Sequence, residues 1–130
     1  MLLEDHDPSV RSTALEVLGE MREETKMYIP PKTAIRIIAC LQDRDPSVRS
    51  AAVKTMGKLG DITPKYILVV VKCLQDSDPS VRASAVWALG NLGKLAGDYI
   101  PHIRACLADE AWIVRSIARD VLNSLYESLR

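Results

Sequence analysis

The sequence predicts an all-α fold, an α–α superhelix (a solenoid) of antiparallel helix pairs with about seven helices. Three observations carry this. The pentapeptide Asp-Pro-Ser-Val-Arg occurs unchanged as Asp7–Arg11, Asp45–Arg49 and Asp78–Arg82, and a decayed fourth copy ends in Ile113-Val114-Arg115. The motif valines Val10, Val48, Val81 and Val114 are 38, 33 and 33 residues apart. At such a period one unit cannot bury its apolar face alone and must stack on its neighbours. Finally, every copy opens with a helix-start signal and continues in a helical apolar pattern.

Taken along the chain, Leu2-Leu3-Glu4-Asp5 aligns with Cys40-Leu41-Gln42-Asp43. The chain therefore opens in the last turn of a helix of the first type in each pair. We read this as a fragment of a longer array, cut inside a repeat; the runner-up reading is that the open end pairs with another copy or a partner. A helix follows over 8–22, with Val10, Ala14, Leu15, Leu18 and Met21 on its apolar stripe. Asp7 is its N-cap, worth ~1 kcal/mol, and Pro8 suits the first helical position, where no N–H is missed. The extra residues of the first period fall in the connection around Glu23 to Pro30, because Pro30-Pro31 cannot lie inside a regular helix.

Pro31 opens a helix over 31–42 carrying Ile35, Ile37, Ile38 and Leu41, and Asp45-Pro46 opens one over 46–59 with Val48, Ala52, Val53, Met56 and Leu59. The same alternation gives helices over 64–75 from Pro64, 79–93 from Asp78-Pro79, 98–108 around Pro101, and 111–129. Gly60 and Gly93 stand just past the last apolar residue, as C-terminal glycines do. Gly57 and Gly90 sit one turn earlier, where glycine weakens a helix unless two helices approach closely. Four units result, approximately 1–22, 31–60, 64–93 and 98–130. In the last, Ala111-Trp112 replaces Asp-Pro, while Asn123 and Tyr126 replace the glycines; terminal repeats are commonly atypical. Asp109 is the expected N-cap there, and Trp112 is expected to cover the end of the core.

Composition narrows the function. Seventeen basic residues balance seventeen acidic ones, without the basic excess of nucleic-acid binders. No apolar run approaches the ~18 residues that span a bilayer, and Met1-Leu2-Leu3 followed by Glu4 and Asp5 is not a signal sequence. The expectation is an intracellular protein, cytoplasmic or nuclear. Cys40, Cys73 and Cys106 occupy one position of successive repeats. Stacked helices lie ~8–10 Å apart, beyond the ~7 Å a disulfide allows between Cα atoms. They read as small buried hydrophobes; no metal is expected, since no ligand spacing accompanies them. His6 reads as a loop residue and His102 as a helix-surface residue. With no phosphate loop and no metalloprotease motif, neither a catalytic residue nor a cofactor is expected, and the chain is read as a non-enzyme.

The pattern Asp43-x-Asp45-Pro46-x-Val48-Arg49-x-x-Ala52-x-x-x-Met56-Gly57 resembles the HEAT repeat. Its short period is similar to the HEAT-like subgroup that includes the phycobilin lyase repeats. The pattern recurs at Asp5 to Gly19 and Asp76 to Gly90, and weakly at Asp109 to Leu122. The resemblance implies a polar ladder between the Asp six residues before each Arg and the Arg of a neighbouring repeat, built from Asp5/Arg11, Asp43/Arg49, Asp76/Arg82 and Asp109/Arg115. An arginine on a largely apolar helix needs such an acceptor for its fork of donors.

It also implies that the second helix of each pair lines a concave face where protein partners dock. Residues two, six and ten beyond each motif valine should point there. They read Ser12, Glu16, Glu20; Ser50, Lys54, Lys58; Ala83, Trp87, Asn91; and Ser116, Asp120, Ser124. Glu16, Lys54, Lys58, Trp87, Asn91 and Asp120 are the partner-binding candidates. Trp87 stands out, because tryptophan dominates interface energetics; the competing expectation is that its indole folds over a neighbouring helix. A protein-binding scaffold is the leading reading. A phycobilin-lyase-type protein would instead need a deep pocket with aromatic walls and a convergent acid. A nucleic-acid solenoid, disfavoured by the mixed charge, comes third.

Overall fold

The computed structural model describes residues 2–60, 63–92 and 97–128. Among them there are seven α-helices and no strand: α1 (Pro8–Thr25), α2 (Pro31–Ala39), α3 (Pro46–Leu59), α4 (Thr63–Lys72), α5 (Pro79–Gly90), α6 (Ile100–Ala105) and α7 (Trp112–Ser128). The A helices α2, α4 and α6 each end in a 3₁₀ turn, at Cys40–Gln42, Cys73–Gln75 and Cys106–Ala108, and Leu2–Glu4 forms the same turn ahead of α1. The Asp that follows closes each turn, as where the Asp43 N–H donates to the Cys40 carbonyl at 3.1 Å.

The B helices form the spine. α1 packs on α3, α3 on α5 and α5 on α7, whereas the A helices pack chiefly on B helices. That leaves the B side closely stacked and the A side splayed. The core runs continuously between the layers, with Leu15, Ile37, Met56, Leu89, Ile103 and Val114 among its fully buried side chains. The Asp-Pro starts behave as the sequence predicts. Asp7, Asp45 and Asp78 are extended N-caps whose carboxylates accept the N–H of Ser9, Ser47 and Ser80, each followed by proline at N1. The serine hydroxyl donates to the same oxygen.

The glycines inside the B helices mark close crossings. A Cβ on Gly57 would lie 2.9 Å from both Cα and Cβ of Ala88, and one on Gly90 would lie 2.8 Å from Cγ1 of Val121. Gly60 ends α3 at φ +60°, a conformation that glycine adopts without steric cost. Gly93 lies outside the described residues.

Three sequence expectations are corrected. Helix α1 continues three residues beyond 22, to Thr25, so the connection to Pro31 is shorter than expected. Its end is held by Lys26 at φ 56° and by the Arg22 guanidinium, which donates to the carbonyls of Lys26 and Met27. Ala83 is buried, yet it lines a recess on the outer, B-helix face. Trp112 does not cover the core; it is 70% exposed, while Ala111 beside it takes the partly buried place. Asp109 is not the N-cap of α7, since it precedes the helix by three residues and its carboxylate accepts the Ala111 N–H and the Arg82 fork.

Candidate functional site: the ladder and the recess on the B-helix face

The ladder is built from one geometry used three times. Nη1 of Arg11 donates to the Asp5 and His6 carbonyls at 2.7 and 3.0 Å, which anchors the guanidinium in its own unit. Nε and Nη2 then grip the carboxylate of the next unit's Asp43 at 2.8 and 3.0 Å. Arg49 does the same to Asp76, and Arg82 to Asp109. The side-chain pairs thus run Arg11–Asp43, Arg49–Asp76 and Arg82–Asp109, while Asp and Arg of the same unit meet through the backbone carbonyl. Asp5 and Arg115 are the two ends of this chain of bonds. Fork-on-carboxylate pairs are the strong form of charge-assisted hydrogen bond. Arg82's hydrogen bonds hold the Asp109 carboxyl below the usual carboxylate range. Burial pushes the Asp43 carboxyl up, yet the Arg11 fork and the Asp45 N–H carry it below that range overall.

Polar atoms inside the stack are also satisfied. Thr55, buried on α3, donates to the Leu15 carbonyl of α1 at 2.8 Å. Ser50 and Ser84 pair across α3 and α5 at 2.6 Å. Neither bond was legible in the sequence, because each depends on which face of the neighbouring helix arrives at that point. Cys40, Cys73 and Cys106 are buried free thiols. Burial pushes the Cys73 thiol up to about 11 and raises the other two. No group of His, Cys, Asp and Glu able to hold a metal occurs among the described residues.

Five of the six binding candidates fall in two open recesses on the B-helix face. One, of about 420 Å³, is lined by Ser50, Lys54, Lys58, Trp87, Ile113 and Ile117. The other, of about 270 Å³, is lined by Trp87, Asn91, Ile117, Asp120, Val121 and Ser124. Trp87 is shared by both and is half-buried, with its ring edge over Gly57 of α3: Cζ3 lies 3.1 Å from where a Cβ would sit. The indole thus lies against the neighbouring helix and also walls the recesses. Lys58 pairs with Glu23 at 3.4 Å, whereas Lys54 has no ion-pair partner among the described residues. Glu16 is exposed on α1, outside both recesses. Ile113 and Ile117 complete the apolar wall; sequence reasoning missed them because they sit one position before and three after the motif valine, off the stripe taken to face outward.

Helix pairs stacked in one direction, crossing at glycine and tied by a repeated Arg–Asp bond define an α-solenoid repeat protein. The family model described as HEAT repeats matches residues 33–123, and the chain belongs to that family. A second model, a HEAT repeat associated with sister chromatid cohesion, matches residues 3–18. A comparison with curated proteins finds no match.

Among solved structures the chain is similar to an engineered protein at 15% identity and TM-score 0.71, covering 98% of this chain and 65% of that one. It is similar to the CpcE–CpcF complex of phycocyanin lyase from Nostoc sp. PCC7120 at 21% identity and TM-score 0.63, covering 97% and 63%. It is also similar to a designed armadillo repeat protein in complex with the peptide (KR)4, at 21% identity and TM-score 0.69, covering 95% and 61%. The chain thus spans less than two thirds of the length of these structures, and at such identities the likeness is one of fold. No helix among the described residues is long and apolar enough to cross a membrane.

Proposed function

We propose that the protein is a non-enzymatic interaction scaffold that binds a segment of a partner protein on its B-helix face. Trp87 carries this reading: a half-buried indole shared by two adjoining recesses is the kind of anchor that dominates interfaces. Ile113 and Ile117 give the recess an apolar floor and Lys54 gives it a cationic rim. This combination suits an extended segment with an apolar side chain beside an acidic one. Peptide capture by an armadillo repeat neighbour supports the use of such a face, although the peptide there is basic and the chemistry here differs.

The recesses are shallow and mixed in charge, which supports a scaffold over a chromophore lyase; a single tryptophan does not make aromatic walls. Lys54 and Lys58 line one recess and Asn91 and Asp120 the other, a mixed set that does not favour a polyanion needing several phosphate contacts. Panning a random peptide display library against the wild type and against Trp87→Ala tests the reading. Selected peptides should share an acidic–apolar pair and lose at least tenfold in affinity on Trp87→Ala or Lys54→Glu. Peptides that bind the folded variants equally well would place the interface elsewhere.

A further inference from the structure

The position six residues beyond the motif valine falls at one register of every B helix, so its side chains form a row that crosses the stack. Along α1, α3, α5 and α7 the row reads Glu16, Lys54, Trp87 and Asp120. Glu16 lies outside the recesses, whereas the other three line them: Lys54 one, Asp120 the other, and Trp87 both. The signs are therefore ordered, with a cation on α3, an indole on α5 and a carboxylate on α7.

Both charges are open to a ligand. Lys54 and Asp120 are exposed, and neither has an ion-pair partner among the described residues. Lys58, one turn along α3, differs: its ammonium stands 3.4 Å from the Glu23 carboxylate. The middle of the row is apolar and shared. Ile117 lines both recesses beside Trp87, and Ile113, 44% exposed, extends the same wall in the first. The two recesses form one open track with an apolar centre and opposite charges at its two edges.

An extended chain laid across the stack matches this spacing. Stacked helices lie ~8–10 Å apart. Residues i and i+2 of an extended segment point the same way and stand ~6.6 Å apart, at ~3.3 Å per residue. The shortfall of ~1–3 Å at each side is within the reach of long charged side chains.

Resting on the B-face reading above, we propose that the track selects its peptide by charge order. An acidic residue lies over Lys54, an aliphatic residue two positions along packs between Trp87 and Ile117, and a basic residue two positions further lies over Asp120. The order acid–x–aliphatic–x–base separates this occupant from a uniformly acidic segment, which Asp120 repels, and from a uniformly basic one, which Lys54 repels. Trp87 supplies affinity, and the flanking charges supply selectivity, as complementary charges do at interfaces.

Panning a peptide display library in parallel against wild type, Lys54→Glu and Asp120→Lys, at about 50 mM salt where exposed charges are weakly screened, tests the order. Wild type should enrich an aliphatic residue with an acid two positions to one side and a base two positions to the other. Asp120→Lys should exchange only the base for an acid, and Lys54→Glu only the acid for a base. In fluorescence polarisation a peptide selected by wild type should lose at least fivefold in affinity on Asp120→Lys, and that loss should shrink at about 500 mM salt. Asp120→Asn and Lys54→Gln serve if a reversal disturbs folding. Peptides that depend on Trp87 but keep either charge through the matching reversal would overturn the charge order and leave the B-face interface standing. Peptides indifferent to Trp87→Ala, or no enrichment at all, would overturn both.

Discussion

Arg49 binds the carboxylate of Asp76 through two parallel hydrogen bonds, Nε to Oδ2 at 2.9 Å and Nη2 to Oδ1 at 3.0 Å, while its remaining nitrogen holds the backbone of its own unit at the Asp43 carbonyl. One side chain therefore fixes the turn within a unit and the spacing between units. Both partners keep only 15% and 14% of their side-chain surface, so the pair is shielded more than an ordinary surface ion pair.

Removing either member should cost stability beyond a surface substitution. Arg49→Ala is expected to lose about 2 kcal/mol, in the range of hydrogen bonds to charged groups. A double-mutant cycle with Asp76→Ala in urea denaturation should return a coupling of about 1 kcal/mol or more. Additive losses would mean that the fork adds nothing across the junction.

Gly57→Ala sets two effects against each other. Alanine improves helix propensity by ~1 kcal/mol, but its methyl would sit 2.9 Å from the Ala88 backbone, which cannot rotate away. Overpacking at a rigid contact costs about 1–3 kcal/mol, so we expect a net loss of about 1 kcal/mol and a lower Tm. A neutral or stabilised variant would show that the helices can slide apart freely.

Acid should loosen the ladder. The folded Asp109 carboxyl is held below its ordinary value by Arg82, so between the folded value and the unfolded one of ~3.9 the unfolded chain binds more protons. Stability from this group is therefore complete above about pH 4 and is lost as pH falls through the folded value. Urea midpoints should be flat from pH 7 to 5 and fall below about pH 4, and Asp109→Asn should flatten that fall. An identical acid profile in the variant would remove Asp109 from the transition.

The thiols report on opening of the stack. With Cys73 raised to about 11 by burial, its thiolate fraction at pH 8 is lower than that of a free thiol by roughly two orders of magnitude. Labelling with a disulfide reagent should be slow for the native protein and fast for all three cysteines in denaturant. Fast native labelling at pH 8 would contradict the burial of the A-helix ends.

Sequence order alone determined the architecture of this protein. A repeated Asp-Pro start, an apolar stripe and an inner glycine are local or periodic features, and they fixed the helix boundaries to within a few residues because capping and helix propensity act over one or two turns. The ladder residues were legible for the same reason. The direction of the bond was not: whether Arg49 meets Asp43 or Asp76 depends on the translation between units, which only stacking sets. Trp112, exposed, departed from expectation because its surroundings come from helices distant in the chain. The recess around Trp87 joins α3, α5 and α7, so Ile113 and Ile117 could enter it only once those helices had packed. A helix repeat fixes which residues share a face, and packing decides what that face meets.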